Sequence, residues 1–273
     1  MFQGHAGTGL CFLIGIALGS PLMFVGAVIG AIFGPLVAYL ASFDRAKIEQ
    51  GIYGFNSILV GVATFAFLKP EFATTWMLLF AGVAVAVLLT YLGSRFLKFP
   101  VYTAPFVVTT WAILLIAPAI SGEEIRVPPP PVSSAASGFL DAVLRGESEV
   151  MLEANDASGI LILVGIALSN PWHAAMALLG DVVGTSLAMY HGDPEQSISI
   201  GIYGYNAALA AMALFLRRNS LTLPFLAALV ATPLTEFFPK WLGVPALTAP
   251  FVMASWVVLL AVWSEERLFP RNS

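Results

Sequence analysis

"KFPVYTAPFVVTTWAILL", residues 98–115, sets prolines and threonines inside a run otherwise apolar enough for a bilayer, and it returns as "GVPALTAPFVMASWVVLL", residues 243–260. Proline removes a donor from the helical ladder and biases its predecessor away from helix. Each Thr-Ala-Pro-Phe therefore marks a break, and the carbonyls near Thr103 and Thr248 are expected to lose intrahelical partners. Pro100 and Pro245 add a second break to each copy. Inside a bilayer, freed polar groups persist only where protein or a water-filled cavity satisfies them. A matched pair of such breaks predicts two broken segments meeting near the membrane midplane, each presenting a hydroxyl and unpaired carbonyls.

Working outward, the whole chain proves duplicated. "GIALGSP" at residues 15–21 recurs as "GIALSNP" at 165–171, and "GIYGFN" at 51–56 recurs as "GIYGYN" at 201–206, both 150 residues later; the Thr103–Thr248 pair is 145 apart. Apolar periodicity predicts helices near 6–19, 22–41, 52–68, 74–94 and 103–118. In the second copy it predicts 139–169 with a break, 172–190, 202–216, 221–238 and 247–263. An odd number of spans per copy sends the second copy into the membrane from the opposite side. The fold class expected is thus an all-α integral membrane protein with about ten transmembrane spans, in two inverted five-helix repeats around a central pore. The first repeat covers 1–120, a proline-rich linker with "PPPP" covers 121–138, and the second repeat covers 139–273. Alternating the loops puts eight Lys and Arg residues on one side against three on the other, which predicts cytoplasmic termini.

Composition narrows the function classes. The 273 residues are 59% hydrophobic and only 10% charged, with a mean hydropathy of +0.88, and no polar stretch is long enough for a soluble catalytic domain. A net charge of −4 without a basic cluster gives no footprint for nucleic acid. One cysteine, Cys11, excludes an intrachain disulfide, and His5, His173 and His191 are too far apart in sequence to suggest a metal site. No phosphate-binding loop and no nucleophile–base constellation is present, so neither a cofactor nor an enzymatic activity is expected.

A few polar residues stand out against this apolar background. Asn56 and Asn206 close the GIYG(F/Y)N motifs and need buried partners; bonding to backbone is the plain reading. Glu149, in "LRGESEVMLEANDASG", lies just before an apolar run, where a carboxylate is costly unless it faces a cavity or a partner. A surface glutamate on an amphipathic linker helix is the alternative. Asp181 aligns with Ala31 in the first copy, so symmetry gives it no role, and a bond to a neighbouring helix is expected.

"FPVYTAPF" and "VPALTAPF", each preceded by GIYG(F/Y)N, resemble the duplicated LPxxTxPF pattern of the urea transporter family, with Phe99 and Val244 in place of the usual leucine. "LRGESEVMLEAND" is similar to that family's LRGxxQVxFxNNP, with Glu149 at the Gln position. The resemblance implies passive, channel-like passage of urea through a pore between the repeats of each protomer of a homotrimer, in the inner (plasma) membrane. It also implies that Thr103 and Thr248 line the middle of the pore. Glu149 would bond a urea amide near one end, with Val150, Leu152 and its repeat counterpart Phe2 as walls. Subtracting the repeat offset from Glu149 leads to a position before Met1, so either the start of the sequence is incomplete or the first site is built differently. Asn155-Asp156 departs from the family's Asn-Asn, which leaves room for another small amide or ammonia. A proton-coupled transporter using Glu149 or Asp181 is the alternative class.

Overall fold

The computed structural model describes residues 3–122, 124–126, 138–218 and 220–268; the tetraproline and Phe2 lie outside these. The first copy consists of α1 (Ala6–Gly19), α2 (Pro21–Leu40), α3 (Arg45–Glu49), α4 (Ile52–Phe67), α5 (Ala73–Phe96) and α6 (Ala104–Ser121). The second opens with α7 (Phe139–Glu149). It then repeats the order as α8 (Asp156–Ser169), α9 (Pro171–His191), α10 (Glu195–Ser199), α11 (Gly204–Arg217), α12 (Thr222–Glu236) and α13 (Ala249–Leu268), with a 3-10 turn at Lys240–Leu242. Among the described residues there is no strand.

The repeated sequence landmarks are helix ends. Ser20 accepts from the Met23 N–H and Asn170 from the Trp172 N–H, while Pro21 and Pro171 take first-turn positions where a missing N–H costs nothing. GIALGSP and GIALSNP therefore stop one helix and start the next without a loop. The polar stretches before GIYG fold into the single-turn helices α3 and α10. Asp44 caps the first through the Ala46 N–H.

Packing is dictated by small residues. α2 lies against α4 with Gly26 and Gly61 face to face, so that a Cβ on either would run into the other's carbonyl; α9 and α11 pair in the same way through Gly180 and Ala207. α4 and α11 are buried along almost their whole length, as apolar all-round helices must be. The outer helices instead expose Leu40, Phe96, Leu115, Ile120 and other large apolar residues. α2, α5, α6 and α13 are long and apolar enough to cross a membrane, and α1, α4, α8 and α12 are shorter apolar helices. An apolar exterior around a helical interior belongs to a multi-pass membrane protein.

Contacts between the copies come in reciprocal pairs. Thr8 Oγ1 donates to the Gly165 carbonyl (2.6 Å) and Ser158 Oγ donates to the Gly15 carbonyl (2.9 Å), which crosses α1 with α8. Trp111 Nε1 reaches the Pro245 carbonyl (2.8 Å), and Trp256 Nε1 reaches the Pro100 carbonyl (2.9 Å).

Candidate functional site

The two Thr-Ala-Pro-Phe segments meet. Thr103 and Thr248 are both buried, and their hydroxyls hydrogen-bond to each other at 2.6 Å. The prolines do not interrupt a helix, as the sequence led one to expect; Pro105 and Pro250 sit in the first turns of α6 and α13. The threonine carbonyls are accordingly not freed, since Thr103 accepts from the Val107 N–H and Thr248 from the Val252 N–H. The carbonyls that leave the helical ladder belong to the residues just before. Tyr102 and Leu247 adopt left-handed backbone, with φ of 46° and 48°, a conformation rare for side chains of this size.

One asparagine in each copy holds that turn. Asn56 Nδ2 donates to the Tyr102 carbonyl (3.2 Å) while its Oδ1 accepts from the Phe106 N–H (3.2 Å). Asn206 repeats both bonds with the Leu247 carbonyl (3.2 Å) and the Phe251 N–H (3.1 Å). A single side-chain amide thus pins the strained residue and caps the first turn of the helix that follows, a capping interaction supplied from another element. The backbone-bonding reading of both asparagines is what the structure shows. With Trp111 and Trp256 on Pro245 and Pro100, each of these carbonyls has a side-chain donor, and that of Leu247 has two. The tryptophans escaped the sequence reading although they recur at the 145-residue offset, eight residues after each threonine.

Glu149 ends α7, half-buried, and is followed by the tight turn 150–155, in which Val150 is buried and Leu152 is left-handed with φ 60°. It lies within electrostatic reach of Tyr205, whose hydroxyl donates to the Leu247 carbonyl at 2.5 Å, so the acid and Thr248 belong to one connected neighbourhood. Arg145, which the sequence reading left unassigned, fixes α7. It pairs with Asp156 through two bonds (2.7 and 3.2 Å) and donates to the Ser199 carbonyl (3.0 Å). The Asp in Asn155-Asp156 is thereby explained as a counter-ion, while Asn155 caps α8 through the Ser158 N–H. Gly201, with φ 82°, sits directly on the Gly146 backbone, and no side chain fits there.

Glu147 on α7 and Asp181 on the neighbouring α9 are fully buried. Both Glu147 oxygens and Asp181 Oδ2 have no hydrogen-bond partner, and Asp181 Oδ1 accepts only from Thr185 on its own helix (3.2 Å). The expected bond from Asp181 to a neighbouring helix is replaced by close packing of its carboxylate against Gly146 and Gly204. A cavity of about 1240 Å³, lined by His5, Phe12, Asn56, Thr90, Leu216 and Trp263 among others, opens between α1, α2, α4 and α5 of the first copy and the ends of α11 and α13 of the second. α1, α2 and α4 are the counterparts of α8, α9 and α11, on which α7 packs.

Comparison with known proteins gives one family. The family model described as Urea transporter matches residues 1–263. Urea transporter 1 of Rattus norvegicus is 36% identical over 143 residues, 48% of this chain and 37% of the relative, and that of Mus musculus gives the same figures. Urea transporter 1 of Ovis aries is 24% identical over 296 residues, 98% of this chain and 76% of the relative. The match with the rodent relatives therefore spans well under half of their length.

Proposed function

The chain belongs to the urea transporter family, and from that premise we propose that it carries urea passively across the inner (plasma) membrane, through a pore between two inverted repeats. The observation that carries this reading is the direct meeting of Thr103 and Thr248. It supplies paired hydroxyls where the left-handed turns that open α6 and α13 meet, at the repeat junction where inverted-repeat transporters place their sites. The reciprocal pairs Thr8–Gly165 with Ser158–Gly15, and Trp111–Pro245 with Trp256–Pro100, support a two-fold relation of repeats 1–120 and 139–273. Some ten spans, cytoplasmic termini and a homotrimer in lipid belong to the same reading. Urea is neutral and strongly hydrated, and burying it without hydrogen bonds costs several kcal/mol. Glu149 and the second lone pairs of the Pro100 and Pro245 carbonyls offer acceptors in place of water. Val150 and Leu152 stand beside Glu149 as walls, and Phe2 is proposed as their counterpart.

Stopped-flow urea efflux from proteoliposomes tests this. The expected flux follows the gradient, saturates, ignores an uncoupler and persists in Glu149→Gln, because Gln keeps an acceptor. No flux from folded protein overturns the reading, and complete loss in a folded Glu149→Gln assigns the role to the charge. One observation favours a proton-coupled transporter instead: the fully buried carboxylates of Glu147, with neither oxygen partnered, and Asp181, with Oδ2 unpartnered, the kind of intramembrane acids that relays use. Uptake against a gradient, abolished by an uncoupler, would select that alternative. Nothing in the family points to an enzyme.

A further inference from the structure

His191 closes α9, Asp193 follows it across the left-handed Gly192, and Glu236 closes α12. Their ligand-capable atoms all lie within 4.8 Å of one another. His191 Nδ1 is 2.9 and 3.0 Å from the two Glu236 oxygens. The Glu236 side chain is only 3% exposed, while that of His191 is 38% exposed, and Asp193 Oδ2 is shielded from solvent with no hydrogen-bond partner.

The internal repeat shows what this corner needs for folding alone. At the two repeat offsets, Ala41 stands for His191, Phe43 for Asp193, Tyr53 for Tyr203 and Tyr91 for Glu236. There Phe43 stacks on Tyr91 with centroids 4.1 Å apart and lies 5.4 Å from Tyr53, a plain aromatic plug. The second copy keeps the tyrosine but puts two carboxylates and an imidazole where the first has two rings and a methyl. One imidazole can neutralise only one of the two neighbouring acids, so with Asp193 Oδ2 orphaned the set is short of one positive charge and is a poor substitute for a stacked pair.

We propose that His191, Asp193 and Glu236 form a binding site for one first-row divalent transition-metal ion of the zinc class, which clasps the α9–α10 corner to the end of α12. One imidazole nitrogen with two carboxylate oxygens is a donor set such ions accept, with water in the open position. Calcium asks for six to eight oxygens and is poorly served. Tetrahedral arms of about 2.0–2.1 Å set ligand atoms roughly 3.3 Å apart, so the present His191–Glu236 separation opens only slightly on binding. The ion displaces the proton now shared between imidazole and carboxylate, and the exposed Nε2 edge remains in water.

The test uses the full purified chain in detergent, stripped with a chelator and titrated with Zn2+ alone by calorimetry and thermal melting. One ion per chain is expected, with a melting temperature several degrees higher at saturation, while Ca2+ at the same concentration gives no shift. His191→Ala removes an exposed side chain and leaves the fold intact, and zinc affinity should fall at least about tenfold. A chain carrying Asp193→Phe and Glu236→Tyr, which installs the first copy's plug, should fold and ignore zinc. Absence of saturable zinc binding to the native chain overturns the proposal. So does zinc binding of native affinity in His191→Ala, which would put the ion at His5 or His173.

Discussion

Asn206→Ala should lower urea flux at least about tenfold and cost roughly 1–3 kcal/mol of stability, the price of leaving a buried backbone donor unpaired. The donor is the Phe251 N–H, in the first turn of α13, which Asn206 Oδ1 caps from another element. The Leu247 carbonyl keeps its bond from Tyr205 but loses the second tether. Leu247 then holds a left-handed backbone with less to enforce it, and its relaxation moves the adjacent Thr248 away from Thr103. Asn206→Asp separates the two halves of the clamp, because it keeps the acceptor for Phe251 and removes the donor for Leu247. Its flux should fall between native and alanine. Asn56→Ala should behave alike, since Asn56 carries the same two bonds in the first copy. Stopped-flow flux and thermal melts of the same preparations decide it; native values of both for Asn206→Ala would remove the clamp from the explanation.

The helices and their duplication were legible because they rest on local signals. Ser20-Pro21 and Asn170-Pro171 announce helix junctions within two residues, and the apolar runs end where the helices end. What the TAPF prolines do was only half legible. The same residue that breaks a helix interior opens a first turn, and the choice depends on whether a donor from elsewhere, here Asn56 or Asn206, captures the preceding carbonyl. Long-range donors were hidden for a similar reason. Trp111 and Trp256 look like ordinary apolar residues until the two copies are placed together, and Arg145 reads as a stray charge until Asp156 and the end of α10 close on it. The acidic corner at His191 was missed because ligand spacing along the chain was the criterion. Its three donors come from two helix ends and a loop, as much as 45 residues apart.

Thr103→Val and Thr248→Val, singly and together, should give stability and flux that move in different directions. Each single change leaves one buried hydroxyl facing a methyl group where it had a partner at 2.6 Å, and the orphan costs about 1–3 kcal/mol. The double change leaves no orphan, so its stability should exceed the sum of the singles, a coupling visible in thermal melts of the four proteins. Transport has no such rescue. The hydroxyls touch, so in the proposed pore a urea passing between the repeats must part them, and in parting they become the polar groups that replace its water. Two valines of nearly the same volume keep the packing but offer nothing to an amide, and burying urea's polar groups there regains the desolvation cost that the pore otherwise offsets. Flux in the double variant should therefore drop about a hundredfold while the protein melts close to native. A double variant with native flux would confine the threonine pair to structure, because a partnered hydroxyl that only packs can be exchanged for a methyl with little loss.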